Sequence, residues 1–182
     1  AFNMSKIKDI NSKETKGFIA VITRNVVLNV PFLNEYTDKE KDILGKYSSN
    51  LFTLNTFYNS IKRTISSDEP NEAMQEFLNN YWKCVADNIV QWSELAKKEI
   101  SKIDLRENYI VTQGVVIQAL GRVGRYFYKN SDVDMEKVLS RLRYINWKRN
   151  AAIWKYRVIR ADGKILTSNK AILLTANQVK KE

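Results

Sequence analysis

The stretch that decides the fold covers residues 104–129 and reads DLRENYIVTQGVVIQALGRVGRYFYK. Gly114, Gly121 and Gly124 lie at i, i+7 and i+10 within it, and this spacing places all three on one face of a helix. Each glycine costs up to about 1 kcal/mol relative to alanine in a helix. The spacing therefore predicts one long helix, from about Asp104 to Lys129, whose glycine face packs closely against another backbone.

Glycine-rich segments can also cradle phosphates, but such loops have different neighbours in the sequence. A phosphate loop follows a strand and ends in Gly-Lys-Ser or Gly-Lys-Thr. No predicted strand precedes these glycines, and no such tripeptide follows them. We therefore interpret the three glycines as a packing face.

Helical patterns continue on the N-terminal side of this stretch. The apolar segment 17–30 stops before Pro31, and its length predicts a helix. Thr37-Asp-Lys-Glu40 has the spacing of a capping box and predicts the start of a short helix. Further helices are predicted at residues 50–66, 71–87, 90–100 and 133–143.

The pattern changes near the C-terminal end. Lys155–Arg160 and Lys164–Thr167 are predicted to be strands of a hairpin, joined by a tight turn at Ala161–Lys164. Ser168 or Asn169 is expected to cap a final helix. Six glycines and two prolines are too few for a turn-rich all-β protein. We predict a mainly α fold, a single domain over residues 1–182, with about 6–8 helices and a small C-terminal β-hairpin.

The composition excludes several kinds of chemistry. The chain has no histidine, which removes imidazole ligands and histidine-based catalysis. Its single cysteine, Cys84, lies in an apolar stretch and is expected to be an inert buried thiol. No apolar run of 18 residues and no basic, apolar leader occur. We expect a cytoplasmic protein that is not an enzyme, holds no metal or cofactor and does not enter a membrane.

Two carboxylate pairs in the sequence could act as general acid and base. Asp132 and Asp134 lie beside the start of one predicted helix, and Asp68 and Glu69 lie beside the start of another. Acidic residues at helix starts interact favourably with the helix dipole. We interpret both pairs as caps, with Ser131 or Asp132 as the N-cap of the helix 133–143.

Positive charge is concentrated at the C-terminal end. The net charge is +10, from 30 basic and 20 acidic residues. Residues 141–182 carry 11 basic and two acidic side chains, a net of +9, whereas residues 1–140 have a net of +1. Such an excess attracts polyanions, among which nucleic acid is the commonest inside cells. A solubilising face and a docking surface for an acidic protein are the alternatives.

The candidate DNA-binding residues follow from this charge. Arg122 and Arg125 could clamp a phosphate or pair with a carboxylate. Bases stack on aromatic rings, so Tyr144, Trp147 and Trp154 are candidate stacking residues, with a place in the core as the alternative. The candidate phosphate contacts are Arg141, Arg143, Lys148, Arg149, Lys155, Arg157, Arg160, Lys164, Lys170, Arg122 and Arg125.

Several stretches, in collinear order over about residues 20–180, resemble the DndB family of DNA sulfur modification proteins, within the wider DGQHR-domain family. The most specific is residues 105–124, with Leu-Arg, Tyr-Ile and Gln-Ala-Leu-Gly-Arg-Val-Gly as in the family. The other matching stretches are residues 49–54, 81–92, 145–154 and 173–177.

The sequence also departs from the family pattern. The Asp-Gly-Gln-His-Arg motif is absent, and in full-length members it lies toward the N-terminus. We therefore expect this chain to be the C-terminal helical part of a longer protein. Asn146 replaces a frequent Asp, and Trp154-Lys-Tyr-Arg157 lacks the family's glycine, which indicates a divergent member.

The resemblance implies a regulatory role. Members accompany the enzymes that replace a non-bridging phosphate oxygen of DNA with sulfur, bind DNA and control transcription of the modification genes. The implied partners are duplex DNA and the modification enzymes. Two alternatives remain: a scaffold for an N-terminal nuclease-like or nucleotide-using domain, and a docking module for the modification enzymes.

Overall fold

The computed structural model describes residues 4–182, with side chains from Lys16 onward. The mainly α class is confirmed, and the described residues form nine α-helices rather than six to eight. These are α1 Met4–Asn29, α2 Pro31–Tyr36, α3 Leu54–Ile65, α4 Glu72–Asn88, α5 Val90–Ala96, α6 Lys102–Asn108, α7 Gly114–Lys129, α8 Met135–Leu139 and α9 Asn169–Lys181. Short 3-10 helices cover Ser140–Tyr144 and Ala152–Trp154, and the strands are β1 Thr37–Asp38 and β2 Phe52–Thr53.

Helix α7 lies at the centre and packs on α3 through its glycines. A Cβ added at Gly121 would lie 2.8 Å from the carbonyl carbon of Ser60 and closer still to the carbonyl oxygen. A Cβ at Gly124 would lie 3.0 Å from the ring of Tyr81. The predicted close approach to another backbone is therefore confirmed at Gly121, whereas Gly124 contacts side chains and Gly114 begins the helix.

Side chains of neighbouring helices bond to the backbone of α7 at this contact. Ser60 Oγ donates to the carbonyl of Ile117 at 2.6 Å, and Thr64 Oγ1 donates to that of Gly121 at 2.7 Å. Tyr81 on α4 donates its hydroxyl proton to the carbonyl of Leu120. Burial raises the pKa of Tyr81, so that the phenol remains a donor.

The predicted helix 104–129 is two helices, because backbone groups of residues 108–110 pair with a distant segment. Tyr109 forms an antiparallel bridge with Lys148, and Ile110 N donates to the carbonyl of Trp147 at 3.0 Å. Arg149 N donates to the carbonyl of Asn108 at 2.8 Å. These pairings replace the hydrogen bonds that a continuous helix would make.

The predicted helix at Thr37–Glu40 is wrong. Thr37 and Asp38 form β1, which pairs in parallel with β2 in the register Thr37 to Phe52. The Asp38 carboxylate accepts the N–H groups of Glu40 and Lys41, both at 2.9 Å, and so closes a turn instead of a helix. The sheet is thus neither a hairpin nor C-terminal.

The predicted C-terminal hairpin is wrong as well. The N–H groups of Arg157, Val158 and Ile159 all point to the carbonyl of Trp154, so this segment coils where an extended strand was expected. Residue Tyr156 has a φ of 63° in that coil. The turn at Ala161–Lys164 does form, with Arg160 N donating to the carbonyl of Lys164 at 2.7 Å.

The helix caps agree in part with the sequence. Ser168 caps α9 as predicted, with its Oγ accepting the N–H of Ala171 at 3.1 Å. Asp134 caps α8, whereas Ser131 or Asp132 was the expected N-cap. Among the described residues, no helix is both long and apolar enough to cross a lipid bilayer.

Candidate nucleic-acid interface

Several of the basic C-terminal residues line three separate depressions of the surface. Arg141 and Lys180 border an apolar depression between α7, α8 and α9. Arg143 lines a second depression, which Asp87 and Glu136 also line.

Lys148 and Arg149 line the third depression. Asp104 and Glu107 of α6 line the same depression. These carboxylates come from the part of the chain whose net charge is near neutral, and folding brings them beside the basic pair. The positive potential at Lys148 and Arg149 is thereby reduced relative to what the sequence indicates.

The tryptophans proposed for base stacking are in the core. Trp147 and Trp154 are 1% and 0% exposed and stack on each other, with ring centroids 5.4 Å apart and planes 4° apart. Trp154 Nε1 donates to the carbonyl of Asn146 at 2.7 Å. Neither ring has a free face for a base, which corrects the candidate stacking set to Tyr144, a residue that is 88% exposed.

Arg125 pairs with a carboxylate, which was one of its two predicted roles. It forms an ion pair with Asp68 at 2.7 Å, and Lys129 forms another with the same carboxylate, also at 2.7 Å. Arg125 also donates to the carbonyls of Thr64 and Ile65 at the end of α3. Its guanidinium thus holds α3 against α7. Asp68 is an ion-pair acceptor and not the cap that the sequence suggested.

This arrangement predicts a pH-dependent contribution to stability. Hydrogen bonds from Arg125 and Lys129 lower the pKa of Asp68 from 3.8 to about 2. Since the folded state binds this proton more weakly, the contribution is complete above about pH 4 and is lost as the pH falls through about 2. Asp68→Asn should therefore lower the urea midpoint at pH 7, with the difference from wild type shrinking toward pH 2.

The control for this measurement is the neighbouring exposed carboxylate. Glu69 makes no ion pair with another described residue, so Glu69→Gln should keep the wild-type midpoint. Equal midpoints for Asp68→Asn and wild type at pH 7 would contradict the role given to Asp68.

The remaining basic residues near the turn have local roles. Arg160 pairs with Asp162 across the turn. Arg157 is half-buried and donates to the carbonyl of Ile153 at 2.8 Å. Lys155 lies over the Tyr156 ring, 5.4 Å from its centroid, and Lys164 is exposed.

Two of the candidate basic residues, Arg122 and Lys170, lie near Arg63, which the sequence did not indicate, in a cationic cluster where α3, α7 and α9 meet. Arg63 Nε donates to Gln118 Oε1 at 3.0 Å, and its Nη2 donates to Asn169 Oδ1 at 2.9 Å. Arg122 lies one turn after Gln118 on α7, and Lys170 follows Asn169; both are exposed. Arg63 belongs to the nearly neutral part of the chain, so no local sequence signal identifies it.

Comparison with known proteins gives a match over almost the whole chain. The family model described as DndB, DNA-sulfur modification-associated, matches residues 14–182. No curated protein and no solved structure matches. The matched range includes every side chain of the cationic cluster.

Proposed function

Since the chain belongs to the DndB family of DNA-sulfur modification-associated proteins, we propose that it is a DNA-binding segment that regulates this modification. It contacts duplex DNA through the phosphate backbone and acts in the cytoplasm on transcription of the modification genes. The observation that carries the proposal is the net charge of +9 over residues 141–182 in a member of this family. DNA is the polyanion that the family description names.

The proposed role is not enzymatic. Cys84 is the chain's one thiol, and burial, followed by the charges of Glu136 and Asp87, raises its pKa. A thiol with a raised pKa is a poor nucleophile at neutral pH. With no histidine to act as a base, binding is the chemistry that these side chains favour.

Salt dependence is the expected signature of this binding. Each phosphate contact releases condensed counterions, so six contacts should weaken binding roughly a thousandfold between about 50 and 200 mM salt. Fluorescence anisotropy measures this with a labelled duplex from upstream of the gene and a scrambled duplex of equal length. Tighter binding to the native duplex than to the scrambled one supports sequence-specific recognition by a regulator. Equal binding of the two duplexes supports contact with the phosphates alone. Absence of binding at 50 mM salt contradicts the proposal.

The apolar depression favours a second candidate function, docking of a modification enzyme. It has a volume of about 310 Å³ and is lined by Val123, Phe127 and Val179. Val138, which also lines it, is 40% exposed. Capture of a modification enzyme at about 500 mM salt, where exposed charges are screened, would support docking. Loss of capture at that salt would favour the DNA-binding proposal.

A further inference from the structure

We infer that Arg63, Arg122 and Lys170 form a site for the phosphate backbone of duplex DNA at the junction of α3, α7 and α9. The inference rests on the proposed function and gives it a location. The sequence-based prediction placed the phosphate contacts at about residues 141–170 with Arg122 and Arg125, so it included Arg122 and Lys170 but not Arg63.

Hydrogen bonds to two neutral side-chain amide oxygens hold the Arg63 guanidinium in position. A guanidinium carries five N–H donors in a planar fork. The side-chain oxygens of Gln118 and Asn169 each accept one of these N–H groups, at 3.0 Å and 2.9 Å. About three N–H donors of Arg63 are not used in these two bonds. The two amides hold the guanidinium in place without neutralising it, so its full charge is available to an anion.

The charge of this cluster is not compensated by carboxylates. Within residues 16–182, neither Arg63 nor Arg122 forms an ion pair, whereas Arg125, only three residues from Arg122, pairs with Asp68. Burial, and after it the positive charge of Arg122, lowers the pKa of Arg63. Two guanidinium groups are thus held near each other against their repulsion, and a bound phosphate would relieve it.

The third element of the site is the start of α9. Ser168 caps this 13-residue helix, and its first turn carries Asn169 and Lys170. The N-terminal end of a helix carries a partial positive charge, which adds to that of the side chains. Arg122 and Lys170 are exposed. An exposed cluster on three helices suits a phosphate in a long backbone better than an enclosed small anion.

The test compares two double substitutions that remove the same charge from the full chain. Arg63→Gln with Arg122→Gln should lower the salt slope of DNA binding by about two, since each phosphate contact contributes about one. The loss should be equal for native and scrambled duplexes. Lys148→Gln with Arg149→Gln, the basic pair beside Asp104 and Glu107, should retain the wild-type slope.

A further variant avoids the packing role of Arg63. Arg122→Gln with Lys170→Gln changes two exposed side chains that make no hydrogen bond to another described residue, and it should also lower the slope by about two. A calorimetric titration with sodium phosphate tests whether the ligand of the cluster is free inorganic phosphate instead of the DNA backbone. Binding of inorganic phosphate below about 1 mM would overturn the assignment to DNA.

The outcomes separate this inference from the proposed function. Wild-type DNA binding with an unchanged slope in both cluster variants overturns the site and leaves the function standing. An equal loss in the Lys148 and Arg149 variant also overturns the site, because net charge would then suffice. If the wild-type chain does not bind at 50 mM salt, both fail.

Discussion

Gly121→Ala should destabilise the protein by about 3 kcal/mol, the upper part of the usual range for overpacking a core. The added Cβ would lie 2.8 Å from the Ser60 carbonyl carbon and closer to its oxygen. Both atoms belong to the backbone of α3, so the clash is relieved only if the two helices separate. The gain of about 1 kcal/mol in helix propensity offsets only part of this cost.

The chain contains a matched control for this substitution. Gly17 lies inside α1, and a Cβ added there meets nothing within 4 Å. Gly17→Ala should therefore stabilise the protein by about 0.5–1 kcal/mol, through helix propensity and a less flexible unfolded chain. Urea unfolding followed by circular dichroism measures both variants. Equal stability of Gly121→Ala and wild type would refute the close contact of α3 and α7.

The same contact matters for the candidate DNA site. Ser60 and Arg63 lie on α3, and Gly121 and Arg122 lie on α7. A separation of the helices would move Arg63 away from Gln118, to which it donates a hydrogen bond. We therefore expect any folded fraction of Gly121→Ala to show a lower salt slope for DNA as well.

Trp154→Ala should destabilise the protein by about 3–5 kcal/mol, as is usual for removing a large aromatic side chain from a core. Trp154 is fully buried, stacks on Trp147 and donates Nε1–H to the carbonyl of Asn146. The carbonyl of Trp154 also accepts three N–H groups of the following coil. Loss of the side chain removes the packing that holds this coil in place.

The comparison with Tyr144 distinguishes core packing from base stacking. Tyr144 is 88% exposed, so Tyr144→Ala should change stability by no more than about 0.5 kcal/mol. Trp154→Phe keeps an aromatic ring in the core and should bind DNA with wild-type affinity. A loss of DNA affinity in folded Trp154→Phe would show that the ring reaches the DNA, and would contradict its burial.

Much of the fold followed from local patterns. The period of the apolar residues predicted helices near residues 50–66 and 71–87, and α3 and α4 lie there. The glycine spacing identified a close helix contact, because glycine is unfavourable inside a helix unless a neighbouring group approaches too closely for a side chain. The sequence offers Ser168 or Asn169 as the cap of the last helix, and the structure selects Ser168, whose hydroxyl accepts an N–H group three residues away.

The errors arise where hydrogen bonds form that the local pattern does not predict, with distant backbone at Ile110 and with nearby groups at Asp38 and Trp154. The helix predicted at 104–129 is interrupted because Ile110 N donates a hydrogen bond to the carbonyl of Trp147. The strand predicted at Lys155–Arg160 does not form because three successive N–H groups donate to the nearby carbonyl of Trp154, and the antiparallel pairing is limited to a bridge between Ile159 and Ile165. Local propensity differs by about 1 kcal/mol or less per residue, so such hydrogen bonds override it.

The sequence by itself determined the helical class, the family and the excess of positive charge, because composition and spacing carry that information directly. Only the tertiary structure decided which basic side chains lie beside carboxylates and which remain available to bind an anion. Asp68 comes from a distant segment to pair with Arg125, and Asp104 and Glu107 come to lie beside Lys148 and Arg149. Arg63 is held between two neutral amides on helices far away in the chain. Electrostatic potential depends on distance in space, and folding sets those distances.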